Sequence, residues 1–402
     1  MTNAAILGAS GLLLIAYLLD IVGRKLKVPT VVLLIAAGMA LREGLDLMNV
    51  HLRWVDPVVP IIGTLGLILI VLDGALDLRI RRERAHLVGV ASAAALGGFL
   101  VCTLLFAALF RYALGLDAFP AVLMAFTFAV ISSSVAIPSA AALPESSREF
   151  VVYESSLSDI LGVLAFYAWL DAHGVLGTFE LNLTERVAVS LVIAAVAAVA
   201  LHALLARIRG RVRFMPLLAA LIFLYAAGKA LHLSPLIIVL VCGLLLNNPE
   251  LLERVWRVRN LHSPDYDRAL ADFKGLVGEL TFATKSFFFL LLGYWTDLGH
   301  MAAPQAWWVT GLIVAIILAT RFALLAALRQ PRAGQLTWVA PRGLITVLLF
   351  LAAAEHLALG AFPFGTVLLV VLITSVLVVL ARRGEDRALL ARAETAKPAE
   401  PQ

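Results

Sequence analysis

Apolar stretches of about twenty residues recur along almost the whole of this sequence, and that length is what a helix needs to cross the hydrocarbon core of a bilayer. Of the 402 residues, 62% are hydrophobic and 15% charged, with a mean hydropathy of +0.96, far outside the range of soluble domains. Hydropathy marks about 13 spans, near 4–22, 28–43, 57–78, 86–110, 118–142, 150–171, 186–206, 214–231, 234–248, 270–296, 305–328, 337–357 and 362–381. The chain reads as an all-α polytopic membrane protein, with a membrane domain over 1–383 and a short cytoplasmic tail over 384–402. That tail leaves no room for a soluble regulatory domain, and its Ala, Glu, Arg and Pro predict a short solvated helix.

The basic residues set an orientation. With the N-terminus outside, 24 of the 32 Lys and Arg fall on the inner side, in clusters such as Arg79, Arg81, Arg82 and Arg84, or Arg207, Arg209, Arg211 and Arg213. Five fall outside: Arg42, Arg53, Arg111, Arg186 and Lys229. This asymmetry predicts an odd number of spans, with the N-terminus out and the C-terminus in, and places the chain in a bacterial inner membrane. The charges are scattered along membrane edges, so nucleic acid is excluded as a partner. No basic residue precedes the first span, which is the reverse of a secretory leader. Cys102 and Cys242 lie in separate apolar spans and read as small core residues.

Within the spans, polar groups are few. A carboxylate at membrane depth costs roughly 2.5–3.5 kcal/mol on insertion scales, which makes it a functional residue by default. Span 6 holds two in Glu154-Ser155-Ser156-Leu157-Ser158-Asp159. Ser155 and Asp159 are four apart and share a helix face, whereas Glu154 and Asp159 point about 140° apart and cannot grip one small ion. Asp159 is therefore the candidate carrier of a proton or a monovalent cation. Glu154 becomes a structural anion that needs a buried cation. Arg321, deep in span 11, is the candidate partner, although the net stability of such a pair is small because desolvation offsets the attraction.

Spans 5 and 12 are interrupted. The first reads Ile131-Ser132-Ser133-Ser134-Val135-Ala136-Ile137-Pro138 and the second Val339-Ala340-Pro341-Arg342-Gly343. Proline removes a backbone donor and clashes with the preceding turn. Two broken spans running in opposite directions, seven spans apart, predict two inverted repeats with a binding site at the midplane. Ser155, Ser158 and the region of Ser133 and Ser134 are the candidate oxygen ligands for a hard cation beside Asp159. Arg342, at the second break, either compensates the exposed carbonyls of the facing half-helices or is an interfacial charge. Lys285 has three readings open to it: it pairs with Glu279, approaches the ion site, or extends to the interface. Asp73 and Asp77 read as interfacial and solvated. Asp20, His202 and Glu355 read as end-of-span or otherwise satisfied polar residues.

These motifs, together with Phe287-Phe288-Phe289-Leu290-Leu291-Leu292-Gly293, resemble the cation:proton antiporters of the sodium/proton exchanger superfamily over nearly all the spans. The resemblance implies a homodimer with a scaffold domain and a mobile core, the core formed by the spans near 86–171 and 305–381. It also implies crossing unwound helices at spans 5 and 12 and an elevator movement. Electroneutral relatives carry Asn, and electrogenic ones Asp, at the position of Ser158. Span 5 has no carboxylate where relatives have a Thr-Asp or similar pair, and Glu154 with Arg321 fits the electroneutral branch. The expected activity is exchange of Na⁺, with Li⁺ or K⁺ as alternatives, for H⁺ at Asp159, with no cofactor. A passive channel or a non-transporting sensor is the alternative. Enzyme chemistry is not expected: an intramembrane aspartyl protease needs two aspartates in one site, and no Gly-x-Ser-x-Gly elbow occurs.

Overall fold

A computed structural model of the chain describes residues 2–26, 28–47, 55–78, 84–141, 143–173, 175–207, 214–231, 233–251, 264–296, 298–357, 362–363 and 365–395. The described residues are helical with short connections. In order they form α1 (Thr2–Leu26), α2 (Thr30–Leu47), α3 (Val55–Asp77), α4 (Ala85–Ala113), α5 (Ala118–Ala129), α6 (Ser133–Ala140), α7 (Glu145–Asp171) and α8 (Leu176–Arg207). There follow α9 (Met215–Ala230), α10 (Pro235–Asn247), α11 (Pro264–Trp295), α12 (Leu298–Ala302), α13 (Pro304–Ala327), α14 (Ala333–Leu336), α15 (Leu344–His356) and α16 (Gly365–Thr395). Six helical segments among the described residues are long and apolar enough to cross a membrane: α4, α5 with α6, α7, the 187–205 part of α8, the 266–295 part of α11, and α13. Shorter apolar helices lie at α9, α10, α15 and the first half of α16.

Large apolar side chains face outward on several helices: Leu14 and Leu18 of α1, Leu100 and Leu104 of α4, Val192 and Val196 of α8, Trp307 and Phe322 of α13. In water such a surface would aggregate; against lipid tails it is the expected exterior. The basic clusters Arg79, Arg81 and Arg82, Arg209, Arg211 and Arg213, and Arg254, Arg257 and Arg259 lie outside the described residues.

Two sets of helices pack among themselves. α2 and α3 lie on α11, and α10 lies on α3, α8 and α9. In the second set α4 lies on α5, α7 and α13, α6 on α7, and α13 on α16. Glycine permits the closest crossing. A Cβ at Gly38 of α2 would sit 2.0 Å from the Leu290 carbonyl oxygen, and one at Gly293 of α11 would sit 2.2 Å from that of Ile35. Such backbone-to-backbone packing is how helices associate in lipid, where no hydrophobic force drives them together. In the second set, Phe110, Phe128 and Phe350 close around Phe362, with ring centroids 5.6–5.9 Å from Phe362. These rings bind α4, α5 and α15 to the start of α16, each aromatic pair adding about 0.5–1.5 kcal/mol beyond its buried area.

One expectation needs correction. Pro138 does not break span 5; it lies inside α6, and the chain leaves helical geometry earlier, with Val130 and Ser132 extended. The amides freed there are taken by other elements: that of Ile131 by the Ser158 hydroxyl and that of Ser132 by the Pro341 carbonyl. The last helix, α16, runs on past residue 383 to Thr395. Cys102 and Cys242 are buried and free.

We expect Gly38→Leu and Gly293→Leu each to destabilise the protein by at least the 1–3 kcal/mol typical of overpacking, on the order of the upper limit because backbone has nowhere to move. Melting and monodispersity in detergent measure it, and a wild-type profile for either variant would contradict the crossing.

Candidate ion site at the meeting of two broken helices

Residues 130–132 separate α5 from α6, and non-helical residues 337–343 separate α14 from α15. The two breaks touch: the Ser132 amide donates to the Pro341 carbonyl at 2.9 Å. Gly343 makes the contact possible, since a Cβ there would lie 2.5 Å from the Ser132 hydroxyl oxygen. Helix α7 seals the first break from the side. Gly162 admits Val130, whose Cγ2 would be 2.0 Å from an added Cβ, and the Ser158 hydroxyl accepts the Ile131 amide at 2.9 Å.

Each broken end exposes a pole of a helix dipole, and each pole meets a charge of opposite sign. At the carbonyl end of α5, Arg342 donates from Nε to the Phe128 carbonyl at 2.6 Å and from a terminal nitrogen to that of Ala129 at 3.4 Å. Its other terminal nitrogen bonds the Ala340 carbonyl, and its amide donates to the Thr374 hydroxyl at 2.9 Å. Only 1% of Arg342 is exposed, which removes the interfacial reading. At the amide end of α6, Asp159 accepts the Ser133 N–H on Oδ2 at 3.2 Å. Its other oxygen, Oδ1, is buried with no hydrogen-bond partner.

Glu154 and Arg321 meet in a bidentate contact, 2.7 and 2.8 Å, with 2% and 6% of the two side chains exposed. Arg321 Nε also donates to the Leu336 carbonyl at 2.7 Å, so one guanidinium ties α7 to α13 and to the end of α14. A cavity of about 20 Å³ lies between Glu154, Arg321 and Arg342, enough for about one water. The Ser155 hydroxyl donates to the Val151 carbonyl of its own helix, and Ser134 shares a hydrogen bond with Ser132.

Lys285 stands apart from this site. Its ammonium is 5.9 Å from the Phe282 ring centroid. Asp73 of α3 is half-buried. Ser132, Gly162 and Thr374 contribute as much to the geometry as the residues expected from sequence. Ser132 was legible as part of a serine run; Gly162 and Thr374 carry no local signal, because their role depends on a neighbour distant in sequence.

At the Asp171 end of α7 a cavity of about 420 Å³ opens between α7, α9, α10 and α15. Tyr167, Asp171, Tyr225, Lys229, Glu355 and His356 are among its polar lining, and it reaches Val163, one turn beyond Asp159 on the same helix face. Among the described residues no three His, Cys, Asp or Glu side chains are grouped to hold a resident metal.

Removing Arg321 strands a buried carboxylate, so Arg321→Ala should cost about 3–5 kcal/mol, while Glu154→Gln combined with Arg321→Gln should recover much of it. Thermal melting of the single and double variants reads the coupling; strict additivity would show that the contact carries no energy.

A sodium/hydrogen exchanger transmembrane family model matches residues 11–383. Among solved structures the chain is similar to the sodium proton antiporter MjNhaP1 from Methanocaldococcus jannaschii at pH 8, with a TM-score of 0.74 and 17% identity over 98% of this chain and all of that one. A structure of the same antiporter from an electron-microscopy map gives 0.71 at 17% identity over the full length of both. At that identity the likeness concerns the fold alone. No curated protein sequence matches the chain. The family model spans nearly the whole sequence, and the chain belongs to the transmembrane sodium/hydrogen exchanger family, whose members are transporters rather than enzymes and need no cofactor beyond the cation they carry.

Proposed function

We propose that this chain exchanges one monovalent cation, sodium by preference, for one proton, with Asp159 carrying each in turn. The observation that supports this most is the state of the Asp159 carboxylate. It is 4% exposed, one oxygen is fixed by the amide end of α6, and the other faces no partner. A buried, unpaired carboxylate cannot cross the bilayer interior cheaply as a bare anion, so it moves only when loaded. Proton and cation compete for the same oxygen, and the two loaded forms carry equal charge.

Fixed charges around the site favour this economy. Glu154 and Arg321 neutralise each other, and Arg342 is spent on the carbonyl end of α5. Span 5 contributes no second carboxylate, which leaves one titrating group at the crossing and supports electroneutral one-for-one exchange. The hydroxyls of Ser155, Ser133 and Ser134 stand on the elements that frame Asp159 and are proposed to supply oxygen ligands, which suit a hard cation. Ser158 commits a lone pair to the Ile131 amide and so holds the break open, a role that complements ligation.

Alternating access follows from the two packing sets. Helices α4 to α7 and α13 to α16 are proposed to be the mobile core, and α1 to α3 with α8 to α11 the scaffold through which two copies associate. The cavity at the Asp171 end lies between core helices α7 and α15 and scaffold helices α9 and α10, as a water path on one side of an elevator requires. The charge asymmetry of the sequence supports placing that end outside and the C-terminus in the cytoplasm of a cell with a single inner membrane.

In proteoliposomes with an imposed pH gradient, adding Na⁺ should dissipate the gradient, and Asp159→Asn should abolish the response while leaving the protein folded. Cation-driven proton flux retained in Asp159→Asn would refute the carrier. Competition gives a second signature. Lowering the pH on the cation side should raise the sodium concentration for half-maximal rate, approaching about tenfold per pH unit once the proton form predominates, with the maximal rate unchanged. A half-saturating concentration that does not move between pH 6 and 9 would contradict a shared site.

A further inference from the structure

Three hydroxyls lie between Glu154 and Asp159 on α7, and two are engaged with backbone: Ser155 donates to Val151 and Ser158 accepts from Ile131. The third, Ser156, is 6% exposed, and its oxygen has no hydrogen-bond partner. Asp159 Oδ1 is in the same condition. Residues three apart on a helix share a face, their Cβ atoms roughly 5–6 Å from one another. One face of α7 thus carries two buried oxygens without partners, where polar groups are normally satisfied. A common occupant between them resolves both.

Ser156 also marks an edge of the site. Its oxygen is 3.6 Å from the position a Cβ at Gly74 would take, which places it on the seam between α7 and α3. Asp159 Oδ2, in contrast, is turned toward α6. One carboxylate oxygen is thus held at the crossing of the broken helices, while the other is left without a partner on the helix face it shares with Ser156.

We propose that Ser156 is an oxygen ligand of the transported cation, shared with Asp159 Oδ1, so that the cation sits on the seam with α3 rather than wholly inside the helix crossing. This rests on the reading that Asp159 carries the cation. A hydroxyl serves both loaded states. Its lone pair ligates the cation when Asp159 is charged, and accepts the acid proton when Asp159 is protonated. Gly74 is the scaffold surface that covers this oxygen, so sliding α7 along α3 uncovers the cation side of the carboxylate. The position after Glu154 shares a face with Asp159 as well, and sequence alone favours Ser155; it is the unmet valence of Ser156 that separates the two.

The test compares wild type, S156A and S156T, in sodium-saturated exchange by proteoliposomes and in the rise of melting temperature that NaCl gives the purified protein over choline chloride. Loss of one ligand to a charged species should raise the half-saturating sodium about tenfold in S156A and shrink the sodium-dependent melting shift, while S156T, which keeps the hydroxyl, restores both. The melting temperature without sodium checks that S156A is folded. Wild-type sodium saturation in S156A would overturn the assignment. If wild type itself exchanges none of Na⁺, Li⁺ and K⁺, the antiport reading fails, and the melting shift then decides Ser156 separately: equal shifts in wild type and S156A, or none in either, overturn it too.

Discussion

Everything at the centre of this molecule depends on what a helix costs when it stops inside a membrane. A broken helix leaves carbonyls and amides without partners, and hydrocarbon offers no water to satisfy them. Here the breaks answer one another. The Ser132 amide takes the Pro341 carbonyl, Arg342 covers the carbonyl end of α5, and the amide end of α6 holds Asp159. A carboxylate that would be expensive anywhere else in the bilayer becomes affordable at that one place, and only with an ion or a proton to complete it. The same geometry that stabilises the fold therefore defines the site.

The second buried arginine does different work. Arg321 and Glu154 are fully paired, with Nε on the Leu336 carbonyl, and this contact holds α7, α13 and α14 in fixed relation. A buried pair of this kind adds little net stability over apolar packing, yet losing one member is severe. Its value is positional: it fixes α7, and hence Asp159, against the helix breaks without adding a second titrating group.

Much of this was legible in the sequence because it is governed by composition and local spacing. Apolar runs marked the membrane class, and depth in the apolar spans singled out Glu154 and Arg321, which the structure brings together. What the sequence could not give were contacts that depend on a distant neighbour. Pro138 looked like the breaker of span 5, but the chain leaves helical geometry at Val130 to Ser132, where Ser158 and Gly162 of α7 and the Pro341 carbonyl receive it. Arg342 had two readings until its carbonyl partners, more than two hundred residues away, appeared. Ser155 and Ser156 are neighbours of the same type, and only the structure shows that the first hydroxyl is bonded to Val151 while the second is buried without a partner.

The central claim, that proton and cation share Asp159, is tested most directly by proton release on binding. Purified protein in weakly buffered detergent, titrated with Na⁺ at a series of pH values, should release up to about one proton per chain on saturation, and none in Asp159→Asn. Sodium binding without proton release at any pH where the protein is folded would contradict the account, because cation and proton would then occupy separate groups.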